Sequence, residues 1–132
     1  MEQAFQAKVN VPKPVAVKNN VLVMEFIGKD GRSAPSMKEQ LPSNPEKNYK
    51  LLLTYLTRLY RKADLVHGDL SEYNIMVWKD KPVVFDMSQS VPTSHPLAKS
   101  LLERDLVNVN KFFNRLGVKV LSPEEAYKKV AG

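Results

Sequence analysis

The chain has 132 residues, a formal charge of +6, 43% hydrophobic residues and no cysteine. The lack of cysteine excludes a disulfide framework, a thiol nucleophile and a zinc–thiolate site. Ordinary hydrophobic and charged shares exclude a disordered chain, and no apolar run exceeds that of Val21 to Met24, far short of a membrane span.

Met1-Glu2-Gln3-Ala4 lacks the basic-then-apolar order of a signal peptide, so a soluble, cytoplasmic chain is expected. At about 100–200 residues per domain, the length allows one real core. The charge is uneven. Residues 1–66 carry 11 Lys and Arg against 6 Asp and Glu, and residues 67–132 carry 9 against 8. A basic half suits nucleic acid or an acidic partner. It equally suits a solvated lysine-rich surface.

The first 28 residues read as strands. Val15, Val17, Val21, Val23 and Phe26 flank a Lys18-Asn19-Asn20 turn, where Asn tolerates the left-handed backbone of a tight hairpin. Pro12 and Pro14 keep the stretch before it extended at a sheet edge. Residues 28–45 are polar and broken, with a short helix expected over 35–41.

Ser43-Asn44-Pro45-Glu46 then starts a helix with a capping side chain, a proline in the first turn and an acid near the positive dipole end. Tyr49, Leu52, Leu53, Leu56, Leu59 and Tyr60 follow at spacings of three and four, which makes a buried stripe. Two apolar runs, 75–78 and 83–86, flank Lys79-Asp80-Lys81 and predict a small hairpin.

His95-Pro96 leads into a second long helix with apolar positions from Leu97 to Leu116, ended by Gly117. Ser122-Pro123-Glu124-Glu125 is a capping box for a last short helix.

Chemistry concentrates in His67-Gly68-Asp69-Leu70-Ser71-Glu72-Tyr73-Asn74 and in Val83-Val84-Phe85-Asp86. Asp69 lies in a loop between a helix and a hairpin, where catalytic groups are commonly placed. Asn74 enters one strand of the hairpin and Asp86 ends the other, so pairing can bring them together. Two hard oxygen ligands suit Mg²⁺, which takes one or two protein groups beside phosphates and waters. A third group, Asp69, can accept a proton from an attacking hydroxyl. These are the parts of a phosphoryl-transfer site, and the spacing from Asp69 to Asn74 matches the kinase catalytic loop. Asp and Asn also serve as plain turn residues, the competing reading for each taken alone.

With Ser71-Glu72-Tyr73 in the loop and Asp86-Met87-Ser88-Gln89-Ser90-Val91 after it, the sequence resembles the RIO family of atypical protein kinases. The resemblance is closest to the archaeal and eukaryotic branch of the first-named RIO kinase. Met24-Glu25-Phe26-Ile27-Gly28 resembles the family's hinge, and residues 104–113 resemble its following helix.

The resemblance implies an α+β fold: a protein-kinase-like C-terminal lobe, mainly helical, with a small β-hairpin carrying the metal site. The last N-lobe strands and hinge would occupy 1–27, and the lobe 28–132. Asp69 would be the catalytic aspartate. Asn74 and Asp86 would hold Mg²⁺ or Mn²⁺, with Asp86 able to take phosphate transiently in an ATPase cycle. Glu25 and Ile27 would bind the adenine of ATP through their backbone, with Met24 at the back of the pocket. A protein substrate and the maturing small ribosomal subunit with its rRNA would be partners.

Gly68 stands where ordinary protein kinases carry Arg, and Met87-Ser88 where they carry Phe-Gly; both fit the RIO pattern. No glycine-rich phosphate loop occurs among the five glycines, and no strand lysine precedes a helical Glu. The sequence therefore reads as a C-terminal lobe with the end of the N-lobe, whose exposed strand face over 21–27 could pair two copies. Two other readings share features: a small-molecule phosphotransferase of the aminoglycoside or choline kinase type, and a non-catalytic ribosome-assembly module.

Overall fold

The computed structural model describes residues 2–11, 14–18, 21–24, 28–29, 32–33, 35–84 and 89–132, with side chains described within 3–11, 35–84 and 89–132. Its centre is a three-helix packing. Helix α2 (Pro45–Arg61) begins at Asn44, whose side chain accepts the Lys47 N–H. Such a cap contributes about 1 kcal/mol. The predicted stripe is buried: Tyr49, Leu52, Leu53, Leu56 and Leu59 all face the core. A fully buried leucine contributes roughly 1.5–3 kcal/mol, so the stripe outweighs the cap in fixing this helix.

Helix α3 (Ala98–Arg115) buries Leu102, Leu106, Val109, Phe112 and Phe113 against it, and Gly117, at φ 85°, allows the chain to leave. Helix α4 (Pro123–Ala131) carries the complete capping box, with Ser122 and Glu125 exchanging bonds, and buries Ala126 and Val130. Tyr49 joins these parts. Its hydroxyl donates to Asn110 Oδ1 (2.7 Å) and accepts the Leu121 N–H (3.2 Å), while Asn110 Nδ2 donates to Leu121 O (2.9 Å). Burial raises the Tyr49 pKa, and the bond from Leu121 opposes that rise.

The described strands form four two-stranded antiparallel sheets. Strands β1 (Pro14–Lys18) and β2 (Val21–Met24) pair as the valine pattern predicts, with an irregularity between Pro14 and Ala16. Strands β3 (Gly28–Lys29) and β4 (Arg32–Ser33) make a small ladder. Strand β5 (Leu65–Val66) pairs with β8 (Val91–Pro92), a long-range contact that closes the loop between them. Strands β6 (Ile75–Trp78) and β7 (Lys81–Val84) form the expected hairpin, with Ile75 opposite Val84. Its turn is shorter than read from the sequence. Lys79 and Asp80 both have positive φ (53° and 61°), the two-residue turn that matches strand twist.

Two sequence expectations fail. Residues 2–6 are not strand but helix α1 (Glu2–Gln6). Glu, Gln and Ala favour helix, and Ala4 and Ala7 bury fully enough to hold this single turn against the core. The stretch 35–41 is not a short helix. Residues 35–37 instead extend the outer edge of β6, with Met37 N–H donating to Ile75 O and Val77 N–H to Pro35 O, both at 2.8 Å. Ser36 bridges Met76, and Met37 is fully buried.

The opposite edge of the hairpin is also covered. Val84 N–H donates to Asn10 O (2.8 Å), and Asn10 Nδ2 donates to Pro82 O (2.7 Å). Both edges of a two-stranded ribbon, marginal in isolation, are thus tied to the body. That fixed ribbon presents the loop at its start, residues 67–74.

Candidate active site

The loop leaves β5 through His67, which is 1% exposed. His67 Nδ1 accepts the Asp69 N–H (3.2 Å). The buried histidine supports the loop base. Gly68 follows at φ 87°, in the left-handed region. A Cβ there would lie 2.8 Å from the Gln89 carbonyl oxygen. Backbone strain and contact both forbid a side chain, which accounts for glycine at this position. Gly68→Ala is expected to destabilise the fold by about 2 kcal/mol, readable as a lower denaturation midpoint with an unchanged urea slope; a neutral result would mean that the 89–90 segment yields.

Asp69 is exposed, and among the described residues no hydrogen bond or ion pair engages its carboxylate. Its backbone is firmly held, because Asn74 Nδ2 donates to Asp69 O. Asn74 Oδ1 accepts the Ser71 N–H (2.8 Å). The Asn74 amide therefore closes the loop on itself next to Asp69. Oδ1 receives one bond and keeps a lone pair that could meet a cation. The structure brings together Asp69 and Asn74.

The remaining expected positions cannot be placed against them. Glu25, Ile27 and Asp86 lie outside the described residues, as do Asn19-Asn20, Phe26 and Met87-Ser88, and for Met24 only the backbone at the end of β2 is described. Among the described residues no cluster of three His, Cys, Asp or Glu side chains could hold a metal.

Asp105 was missed as part of the site. It is 0% exposed on α3, beneath the loop. Its Oδ2 accepts the Gly68 N–H (2.8 Å) and its Oδ1 the Leu70 N–H (3.0 Å). The N–H groups of the two residues on either side of Asp69 thus hang from one carboxylate. Arg104 donates to Gly68 O, and Asn108 Nδ2 to Leu70 O (3.4 Å), so three positions of one helix grip the loop. Burial raises the Asp105 pKa, opposed by the two N–H donors and by the nearby His67 and Arg104. The signal was present in the sequence. Asp105 is three residues after Leu102 and four before Val109, an acid on the apolar stripe of a helix.

Beside the loop, Glu72 pairs with Arg115 (3.2 Å), and Tyr73 is 68% exposed with the Lys38 ammonium 5.9 Å from its ring centre. A cavity of about 200 Å³ lined by Lys38, Leu41, Glu72, Phe112, Arg115 and Leu116 opens there.

Comparison with known proteins gives one family. The profile described as the RIO domain matches residues 1–126. The RIO-type serine/threonine-protein kinase Rio1 of Methanocaldococcus jannaschii is 45% identical over 124 residues, covering 94% of this chain and 42% of that protein. Human serine/threonine-protein kinase RIO1 is 40% identical over 126 residues, covering 94% of this chain and 22% of that protein. The chain therefore spans less than half the length of these relatives.

Among solved structures, the Rio2 kinase–ADP/Mg²⁺–phosphoaspartate complex from Chaetomium thermophilum matches with a TM-score of 0.76 and 25% identity, covering 98% of this chain and 42% of that one. The fold is that of a protein-kinase-like lobe. With 126 of its residues under one family profile and an exposed aspartate held five residues before a loop-closing asparagine, this chain belongs to the RIO domain family.

Proposed function

We propose that this chain supplies the catalytic loop and metal-binding hairpin of a RIO-type serine/threonine protein kinase or ATPase. The observation that carries this reading is the loop itself. Asp69 presents an exposed carboxylate without a partner among the described residues, its neighbours Gly68 and Leu70 are held by Asp105, and its own carbonyl is held by Asn74. In this role Asp69 orients an acceptor hydroxyl and takes its proton.

Asn74 and Asp86 would hold Mg²⁺ or Mn²⁺, which screens the charge of the transferring phosphate. The donor set suits that ion: amide and carboxylate oxygens, with Oδ1 of Asn74 still able to accept. The name of the Rio2 neighbour, a complex with ADP, Mg²⁺ and a phosphoaspartate, supports the same ligands here and a transient phosphate on Asp86. Glu25 and Ile27 would hold adenine by their backbone, with Met24 behind it.

The division proposed is 1–27 as the last N-lobe strands and hinge, and 28–132 as the C-terminal lobe. Residues 4–11 would fasten one to the other. Ala4, Ala7, Val9 and Val11 are buried, and Arg58 Nη1 donates to Lys8 O (2.9 Å). A cytoplasmic location and a role in small-subunit maturation follow the family reading. Among the described residues no helix is long and apolar enough to cross a membrane.

Isothermal titration of Mg²⁺–ATP into the 132-residue chain tests the proposal. Weak, Mg²⁺-dependent binding is expected, since no glycine-rich loop is present to cover the phosphates. Asp86→Ala should abolish the Mg²⁺ dependence. Binding that keeps its Mg²⁺ dependence in that variant would remove Asp86 from the metal site.

A further inference from the structure

The C-terminal ends of α2 and α4 meet. Arg61, in the last turn of α2, donates from Nε to Val130 O (3.1 Å) and from Nη2 to Lys129 O (3.3 Å), both in the last turn of α4. Arg58, one turn earlier, donates to Lys8 O (2.9 Å) on the segment after α1. These bonds bring together three separated parts of the chain that carry six cations: Lys8, Arg58, Arg61, Lys62, Lys128 and Lys129.

Cations at helix C-termini are expected from the dipole, and the two arginines serve that purpose by binding carbonyls. The four lysines do not. Lys8, Lys62, Lys128 and Lys129 are exposed, and among the described residues their ammonium groups have no acidic partner. The two ion pairs among the described residues, Lys50 with Glu46 (3.3 Å) and Arg115 with Glu72 (3.2 Å), both lie away from this junction.

We propose that this junction of α2, α4 and Lys8 binds the phosphate backbone of a nucleic acid, by charge and without reading sequence. The kind of partner follows from what the surface lacks. Protein partners are gripped by apolar and aromatic anchors, and membrane-surface segments insert apolar side chains. The exposed large apolar residues among those described are Leu41, Tyr73, Leu97 and Val107, and none belongs to this junction. A dense group of cations without an apolar anchor matches the electrostatic footprint of a polyanion whose charges are evenly spaced along a chain. None of these six residues lies in loop 67–74, so the inference does not depend on the catalytic reading.

The test is fluorescence anisotropy with a labelled single-stranded RNA of mixed sequence and its DNA counterpart, across salt. Four phosphate contacts predict a slope near about −2.8 in log affinity against log salt, or about a fiftyfold loss from about 50 to about 200 mM. The variant Lys8→Gln/Lys62→Gln/Lys128→Gln/Lys129→Gln should lose most of that slope. A control with the same charge change elsewhere, Lys47→Gln/Lys81→Gln/Lys111→Gln/Lys119→Gln, should keep it. RNA and DNA should bind within about threefold of each other, since the shared phosphates do the work.

Equal loss in both variants would overturn the proposal, because it would make the effect one of net charge. Absent or salt-independent binding would overturn it as well. So would polyglutamate of equal charge binding as tightly as RNA, which would point to an acidic protein instead.

Discussion

Introduced at the matching position of a full-length relative, Asp69→Ala is expected to lower phosphoryl transfer by about three orders of magnitude while leaving nucleotide affinity within about threefold. The expectation rests on how the loop is built. Among the described residues, the bonds that fix Asp69 use its backbone: its N–H goes to His67 Nδ1, and its carbonyl accepts from Asn74. The N–H groups of the neighbouring residues Gly68 and Leu70 are held by Asp105, not by Asp69 itself.

Removing the carboxylate therefore leaves the loop in place and deletes the group that orients and deprotonates the acceptor. Transfer of labelled γ-phosphate reads the first effect, and calorimetric titration with ATP reads the second. The thermal midpoint should not move beyond about 1 °C, because an exposed side chain without partners contributes little stability. Loss of nucleotide binding would show instead that Asp69 holds the metal or the phosphates. Unchanged transfer would remove it from catalysis altogether.

The contrast between Asp69 and Asp105 also shows what the sequence made legible. Asp69 and Asn74 stood out through spacing, because a loop closed by one side chain has a fixed chain length. Helices α2, α3 and α4 stood out through period and caps, since their stability comes from a continuous buried face and from satisfied end groups. The pairing of β1 with β2 and of β6 with β7 followed from short alternating or apolar runs around turn residues.

What was not legible depends on contacts distant in the chain. Five residues cannot display a helical period, so α1 was read as strand; Ala4 and Ala7 settle it by packing. Residues 35–41 read as a short helix because a proline and polar residues can open one. The unpaired edge of β6 captured residues 35–37 instead: Met37 bonds Ile75, 38 residues further on, and Pro35 bonds Val77, 42 residues further on. Asp105 was visible as an acid among leucines, yet its purpose needed the loop that lies 35 and 37 residues earlier.

Asp105→Ala is expected to be the most damaging single change in the described part of the site. It would strand the N–H groups of Gly68 and Leu70, both buried, without their acceptor. Hydrogen bonds to a charged group contribute roughly 1.5–3 kcal/mol each, and an orphaned buried donor adds its own desolvation cost, so a loss of about 3–4 kcal/mol is expected from urea denaturation. Asp105→Asn should recover little of it, because an amide offers one acceptor oxygen and turns its NH₂ toward the second N–H donor.

The pH dependence carries a definite sign. Burial raises the Asp105 pKa above its ordinary 3.8, so the folded protein binds this proton more readily than the unfolded chain. The stability linked to that proton is fully present below the unfolded value and is lost as pH rises through the folded one. The difference between wild type and Asp105→Ala should therefore shrink as pH is raised from about 4 to about 7. Titration of other carboxylates cancels in that difference. A difference that grows with pH would mean that the two N–H donors, His67 and Arg104 outweigh burial, and that Asp105 serves the loop as a stabilised anion. In a full-length relative the same variant should lower kcat far more than it raises KM for ATP, since it releases the N–H groups of Gly68 and Leu70 on either side of Asp69.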